Sequence, residues 1–179
     1  MSIRRLVPTE APEYRALMLE AYERHPDAFT SSVAERAALP PSWWESRLAQ
    51  GEHPKELVFG AFENEALVGV AGLSFESREK IRHMATLFGM YVPPRFRGLG
   101  LGRQLVIATL EFARRRAGIT IVQLTVTQGN ASAEALYRRC GFVEFGVEPF
   151  AVAVGSGHVS KLHMWCSVDP GVKSAPPAS

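Results

Sequence analysis

The stretch GMYVPPRFRGLGLGRQL, residues 89–105, decides how this chain is read. An apolar run of strand character stops at Pro93-Pro94, which cannot supply ladder donors in a sheet interior. Glycines then alternate at 98, 100 and 102. They lead into a segment that places Leu101, Leu105, Ala108 and Phe112 on one helical face. The local order is therefore strand, tight turn, helix. Glycine lets the backbone turn sharply and keeps side chains out of a ligand's way. The first N–H groups of a helix lack intrahelical partners and sit at the positive end of its dipole, so an anion such as phosphate or pyrophosphate fits there. The same residues would equally serve a strand-to-helix turn that binds nothing.

Two familiar phosphate loops fail on specific residues. A P-loop needs Gly-Lys-Ser/Thr at its end, and Gly102 is followed by Arg103-Gln104. A dinucleotide fingerprint needs glycine where Arg103 stands, and an acidic residue ending the next strand, which instead reads Thr125-Val126-Thr127-Gln128. The pattern that fits is Arg-x-x-Gly-x-Gly, through Arg97, Gly100 and Gly102. With it the chain resembles the GNAT superfamily of acetyl-CoA-dependent N-acetyltransferases. A second stretch, LTVTQGNASAEALYRRCGF at 124–142, is similar to that family's strand–Asn–Ala-Leu-Tyr–Gly-Phe signature. The resemblance is close over 82–145, extends back to 57 and is thin over the first 50 residues.

Working outward, SIRRLV at 2–7 reads as a strand closed by Pro8, and Thr9 as the cap of a helix from Glu10 to Arg24. Residues 25–41 read as a loop with at most a helical turn, and Ser42 as the cap of a short helix stopped by Gly51. LVFGAFEN and ALVGVAGLSFES form a hairpin about Asn64-Glu65. A strand over 82–92 precedes the glycine turn. The helix that follows runs from Gly100 to Ala117, with Gly118 as its stop. A buried-type strand at 119–126, a helix over 132–140 and strands near 142–148 and 159–166 follow. The order β-α-α-β-β-β-α-β-α-β-β is an α+β, mixed α/β pattern, a mixed sheet with helices on its faces. The resemblance implies a GNAT-like single domain over residues 1–168, with a central, mostly antiparallel sheet of about seven strands. DPGVKSAPPAS at 169–179 reads as a disordered tail.

Composition excludes several classes. The 179 residues are 46% hydrophobic and 21% charged, with a formal net charge of +2, an ordinary globular balance. Nothing in it points to nucleic acid or membrane as a partner. No apolar run is long enough to span a bilayer, and the N-terminal arginines precede no apolar run, so a cytoplasmic protein is expected. Cys140 and Cys166 match no zinc or disulfide framework, and no metal is expected.

The resemblance implies roles for particular residues. Backbone N–H groups of Arg97, Gly98, Leu99, Gly100, Leu101 and Gly102 would hold the pyrophosphate of coenzyme A, with Arg103 just inside the helix. The backbone of Met90, Tyr91 and Val92 would pair with the pantetheine amides, and one N–H would polarise the thioester carbonyl. A bulge would splay this strand from its parallel neighbour, and Gly89 would tolerate one. Tyr137 matches the tyrosine that protonates the departing thiolate, and is otherwise a core aromatic. Asn130 matches a contact to the pantetheine arm, and equally suits a helix N-cap.

The expected activity is acetyl transfer from acetyl-CoA to a primary amine of a small molecule or protein, by a monomer or homodimer. Transfer is direct, since Cys140 ends a helix and Cys166 lies in the last strand, neither a nucleophile position. Glu76, Glu79, His83 or a water chain would take the amine's proton. Arg114-Arg115-Arg116 reads as a helix end favoured by the dipole, and Trp43 or Trp44 as a core or pocket aromatic. His158 and His163 make no metal site without a carboxylate. Glu20, Glu23, Asp27 and Glu35 read as a solvated acidic face. A non-catalytic acyl-CoA sensor is the rival reading, and it would not need Tyr137.

Overall fold

A computed structural model describes residues 1–172. Seven strands form one sheet: β1 (Ser2–Arg5), β2 (Glu56–Glu63), β3 (Ala66–Phe75), β4 (Met84–Tyr91), β5 (Ile121–Thr127), β6 (Val143–Val154) and β7 (Gly157–Ser167). Their order is β1-β2-β3-β4-β5-β7-β6. Every pairing is antiparallel except β4 with β5. Five helices are α1 (Ala11–Arg24), α2 (Val33–Ala37), α3 (Pro41–Ser46), α4 (Leu101–Arg115) and α5 (Ala131–Arg139).

The sheet is covered on both faces. Tyr14, Leu17, Met18 and Ala21 of α1 pack with Trp44 of α3 on Val58, Phe62 and Val70. On the other face Val106, Leu110 and Ala113 of α4 and Tyr137 of α5 meet Leu57, Leu73, Ala85 and Leu87. The spacing of 106, 110 and 113 gives α4 one apolar stripe, and burying such side chains is worth roughly 1.5–3 kcal/mol each.

The hairpin between β2 and β3 turns at Asn64 and Glu65, both left-handed at φ 47° and 68°, as a two-residue turn of this type requires. Four boundaries differ from the sequence expectation. Thr9 lies inside a 3-10 turn, Pro8–Glu10, and the Glu10 carboxylate instead accepts from the Val7 N–H at 2.9 Å. Pro41, suited by its fixed φ to the first helical position, starts α3, so Ser42 lies within that helix, which ends at Ser46 rather than at Gly51. The loop 25–41 contains α2, capped by Ser32, whose side chain accepts from the Glu35 N–H. The last hairpin is longer than expected because a bulge at Glu148/Val152, with Phe150 at φ 53°, carries β6 past Pro149. Residues 169–172 form a turn in which Asp169 accepts from the Gly171 and Val172 N–H groups. The rest of the expected tail lies outside the described residues. No described helix is long and apolar enough to cross a membrane.

Candidate active site

The parallel pair β4/β5 is zipped only at its start, through Met84↔Ile121, Ala85↔Val122 and Thr86↔Gln123. Beyond Thr86 the strands part while each continues, to Tyr91 and Thr127. The parting coincides with a bulge. On β4 two residues, Gly89 and Met90, lie between Phe88 and Tyr91, against one, Ala71, between their partners Gly72 and Val70 on β3. Gly89 takes up the extra residue with φ +59°.

Side-chain parity registers the bulge. Ala85 and Leu87 face α4, and strict alternation would put Tyr91 with them. Tyr91 packs instead against α1, and Met90 takes the α4 side. The Tyr91 hydroxyl donates to Glu20 Oε1 at 3.2 Å, and its ring lies 5.8 Å from that of His25.

The glycine turn lies at the open end. Gly98 and Gly100 are left-handed, at φ +82° and +76°, and Gly100 caps α4 without a side-chain bond. Among the described residues, the backbone N–H groups from Gly98 to Arg103 have no hydrogen-bond partner. The next amide, Gln104, closes the first helical bond to Gly100 at 3.1 Å. Six successive unpartnered donors at a helix start could cradle an anion. Arg97 stands outside it, since its N–H donates to Pro94 at 3.1 Å. Its guanidinium donates to the Val92 carbonyl at 3.0 Å and meets His25 Nε2 at 3.1 Å. Arg97 thus braces the turn by its side chain. The Arg103 side chain is exposed just inside α4.

Gly102 ties the predicted parts together. A Cβ there would lie 2.8 Å from Met90 Cε and 3.2 Å from Leu136 Cδ2, so bulge, helix start and α5 converge on it. Tyr137, next to Leu136, is 6% exposed and its ring meets Phe142 edge-on at 5.9 Å. Its hydroxyl has no hydrogen bond among the described residues and is not among the fully enclosed polar atoms. Burial pushes the phenol well above its ordinary pKa, so it stays protonated through the neutral range. Asn130 caps α5, its Oδ1 accepting from the Ala133 N–H at 3.3 Å and from Ser132 Oγ at 3.2 Å.

Other sequence candidates lie elsewhere. His83 and Glu76 flank the zipped start of β4, where the His83 carbonyl accepts from the Thr120 N–H and the Glu76 N–H donates to Met84. That is roughly 20 Å along the strand from Gly89. Glu79 sits in an exposed 3-10 turn nearby. Arg114–Arg116 end α4, roughly 20 Å from the glycine turn. Arg116 stacks 3.7 Å over the Phe75 ring and donates to the Pro54 carbonyl. Trp44 is core and Trp43 half-buried. His163 does have a carboxylate partner, Glu148 at 3.0 Å, but no group of three metal-ligating side chains forms among the described residues.

Sequence reasoning missed the other side of the bulge. A cavity of about 270 Å³ lies on the α1 face, lined by Gly89 and Phe88 of the bulge and by Tyr22, Phe29, Arg36 and Arg47 among others. Arg47 is held between the Trp43 and Phe88 rings, at 4.6 and 4.4 Å, and pairs with Glu56 at 2.8 Å. Nearby, Lys161 is 4% exposed and donates to the Ala28 carbonyl and Thr127 Oγ1, both at 2.8 Å, and to the Asp27 carbonyl at 3.4 Å. This fixes the loop after α1 over the end of β5 and the middle of β7. A lysine within an otherwise alternating strand gives no sequence signal for a buried tether.

The Gly89 bulge thus has a slot on one side, reaching the amide cradle and Tyr137, and a cavity on the other. Two reactants can approach one point from opposite faces of the sheet. Comparison with known proteins fits that geometry. The [ribosomal protein bS18]-alanine N-acetyltransferase of Salmonella typhimurium is 27% identical over 141 residues, covering 75% of this chain and 95% of that protein. An N-acetyltransferase of Methanocaldococcus jannaschii is 40% identical over 63 residues, 35% of this chain, a match spanning only 27% of its own length. The structure of yncA from Salmonella typhimurium, described with its cofactor acetyl-CoA, shares the fold with a TM-score of 0.77 at 24% identity, covering 100% of this chain and 99% of that one. The family model for the acetyltransferase (GNAT) family matches residues 14–142, which include the bulge, the glycine turn and Tyr137. With most of its length inside that match, the chain belongs to the acetyltransferase (GNAT) family.

Proposed function

We propose that this acetyltransferase moves the acetyl group of acetyl-CoA directly to a primary amine. The observation that carries the reading is the bulged, splayed end of β4. It leaves strand backbone open to a pantetheine arm and leads to six unpartnered N–H groups suited to a pyrophosphate. Bound acetyl-CoA supplies an activated thioester carbonyl at the bulge. There a backbone N–H of the Met90–Val92 segment would polarise the carbonyl oxygen, where charge develops in the transition state.

The amine nitrogen attacks the carbonyl carbon, so that a C–N bond forms and the C–S bond breaks. Tyr137 gives its phenolic proton to the departing sulfur, the amine's surplus proton leaves to water, and water returns a proton to the Tyr137 phenolate. Burial keeps the phenol in its proton-bearing form at neutral pH, so the proton to be given is present. Direct transfer is supported by the cysteines. Both are buried, and burial pushes the Cys140 thiol up, away from a reactive thiolate. The Salmonella relative's named acceptor, an alanine of a ribosomal protein, is an amine of this general class.

Titration calorimetry with acetyl-CoA and with coenzyme A, followed by a screen of amines for thiol release, tests the proposal. Micromolar binding and amine-dependent release are expected. No binding to either form of the coenzyme would overturn it.

A further inference from the structure

Arg36 stands out among the charged groups around the cavity. Arg47 has its counter-charge in Glu56, in contact at 2.8 and 3.4 Å. Arg36 has none. No hydrogen bond or ion pair reaches its guanidinium from any described residue, although its Nε is fully enclosed. Its neighbour Glu35 points back to cap Ser32, accepting from the Ser32 N–H at 2.8 Å.

The guanidinium is nonetheless held in place. It lies 4.7 Å over the Trp43 ring and 5.7 Å over that of Tyr22. Aromatic faces fix its plane without using any of its five donors. An enclosed, unsatisfied donor in a native structure calls for a missing partner. The partner that matches a planar fork is a carboxylate or another oxyanion, held by paired charge-assisted bonds.

We infer that the amine acceptor carries a carboxylate or comparable oxyanion, which Arg36 binds while the amine lies at the Gly89 bulge. This rests on the acetyl-transfer reading and narrows its substrate. Arg36 and Gly89 line one cavity, so a single small molecule spans both. At about 270 Å³ the cavity takes a compact acceptor. Phe29 and Phe88 on its walls suit a short apolar side chain. The acceptor class is thus a free amino acid or close analogue. A polyamine would bring only positive charge toward a guanidinium that has no ion pair in contact, and a protein N-terminus has its first carboxyl tied up in a peptide bond.

The test compares the common free amino acids with their C-terminal amides as acceptors, following coenzyme A release by the wild-type protein, Arg36→Gln and Arg36→Lys. A KM roughly ten- to a hundredfold lower for acids than for amides is expected in the wild type, the worth of a charged hydrogen bond. Arg36→Gln should collapse the ratio between the KM of amides and that of acids while acetyl-CoA affinity holds, and Arg36→Lys should retain part of the preference. Amides as good as acids, or an Arg36→Gln effect equal on both, would overturn the inference. Calorimetric binding of the same acids and amides in the presence of coenzyme A measures the preference without turnover. Preference for acids, lost in Arg36→Gln, supports the anion site even if no amine is acetylated. That last result would sink the transfer reading instead, and equal binding of acids and amides would sink the anion site.

Discussion

Gly102 and Met90 are locked together: the Met90 methyl occupies the space a Cβ on Gly102 would need, at 2.8 Å. The glycine is therefore a packing requirement as well as part of the turn. It lets the start of α4 approach the bulged strand, placing the amide cradle beside Met90, whose backbone is proposed to meet the pantetheine arm.

Gly102→Val should press on both Met90 and Leu136. Overpacking of this kind costs about 1–3 kcal/mol, and the displaced helix start should weaken acetyl-CoA binding as well. Adding Met90→Ala makes room and should recover part of both losses. Urea melts and calorimetry on the single and double variants check this. A double variant no better than the single would mean that the steric account is wrong.

Gly100→Asp separates charge from fold. A side chain at 100 meets only Gln104 Nε2, at 3.9 Å. Aspartate tolerates the left-handed conformation better than most residues and is a favourable N-cap, so stability should change by no more than about 1 kcal/mol. Its charge would lie against the pyrophosphate, and acetyl-CoA affinity should fall at least tenfold, about 1.4 kcal/mol. Gly100→Asn, similar in shape and neutral, should bind far better than Gly100→Asp. Equal affinity in the two variants would remove the pyrophosphate from this turn.

Tyr137→Phe should fold normally, because the hydroxyl makes no hydrogen bond to any described residue. Loss of a general acid typically costs 10²–10⁴-fold in rate, so kcat should drop by about that factor while acetyl-CoA affinity stays within about twofold. The raised phenol pKa has a sign for pH as well. The acid form persists above the ordinary value of about 10, so Tyr137 should impose no falling limb on the rate below that pH. Unchanged turnover in the variant would return Tyr137 to the role of a core aromatic.

The parts legible in the sequence are those whose chemistry is local. Prolines 93 and 94 end a strand, Asn64-Glu65 turn a hairpin, and glycines at 98 and 100 carry the positive φ their positions demand. The bulge itself is not written in the sequence: Gly89 only permits it, because a residue without a side chain takes φ +59° cheaply. The motif places the Arg97 backbone in the cradle, yet its N–H closes the Pro94 turn, a difference of one residue that no motif records. The acceptor side is not legible. Arg36 sits on a five-residue helix with a weak pattern, and its significance comes from what fails to contact it. Lys161 acts on carbonyls more than 130 positions away in the chain. Such relations arise only once the sheet has assembled.

Lys161→Met tests whether that tether shapes the acceptor side. The substitution keeps the aliphatic stem and leaves the Ala28 carbonyl short of its donor, while the Asp27 carbonyl keeps its 2.7 Å bond from the Thr127 hydroxyl, at a cost of about 1–3 kcal/mol. Because Phe29, Thr30 and Ser31 follow the tethered carbonyls and line the cavity, the KM for the amine should rise while acetyl-CoA affinity holds. Burial lowers the Lys161 pKa, with the charges of Asp27 and Glu148 opposing the shift. The folded protein therefore gives up this proton before the unfolded chain does, at about pH 10.4. Between the lowered value and about 10.4 the unfolded state binds more protons, so the lysine's contribution to stability grows as pH rises and shrinks as pH falls. Tyr137 and Tyr14, both raised by burial, pull the other way above about pH 10, but they are common to both proteins and cancel in the difference. Urea melts of wild type and Lys161→Met at about pH 8 and about pH 10 should thus show the wild type gaining on the variant. A gap that narrows with pH would mean that Lys161 is held by its charge, and that the burial argument has the wrong sign.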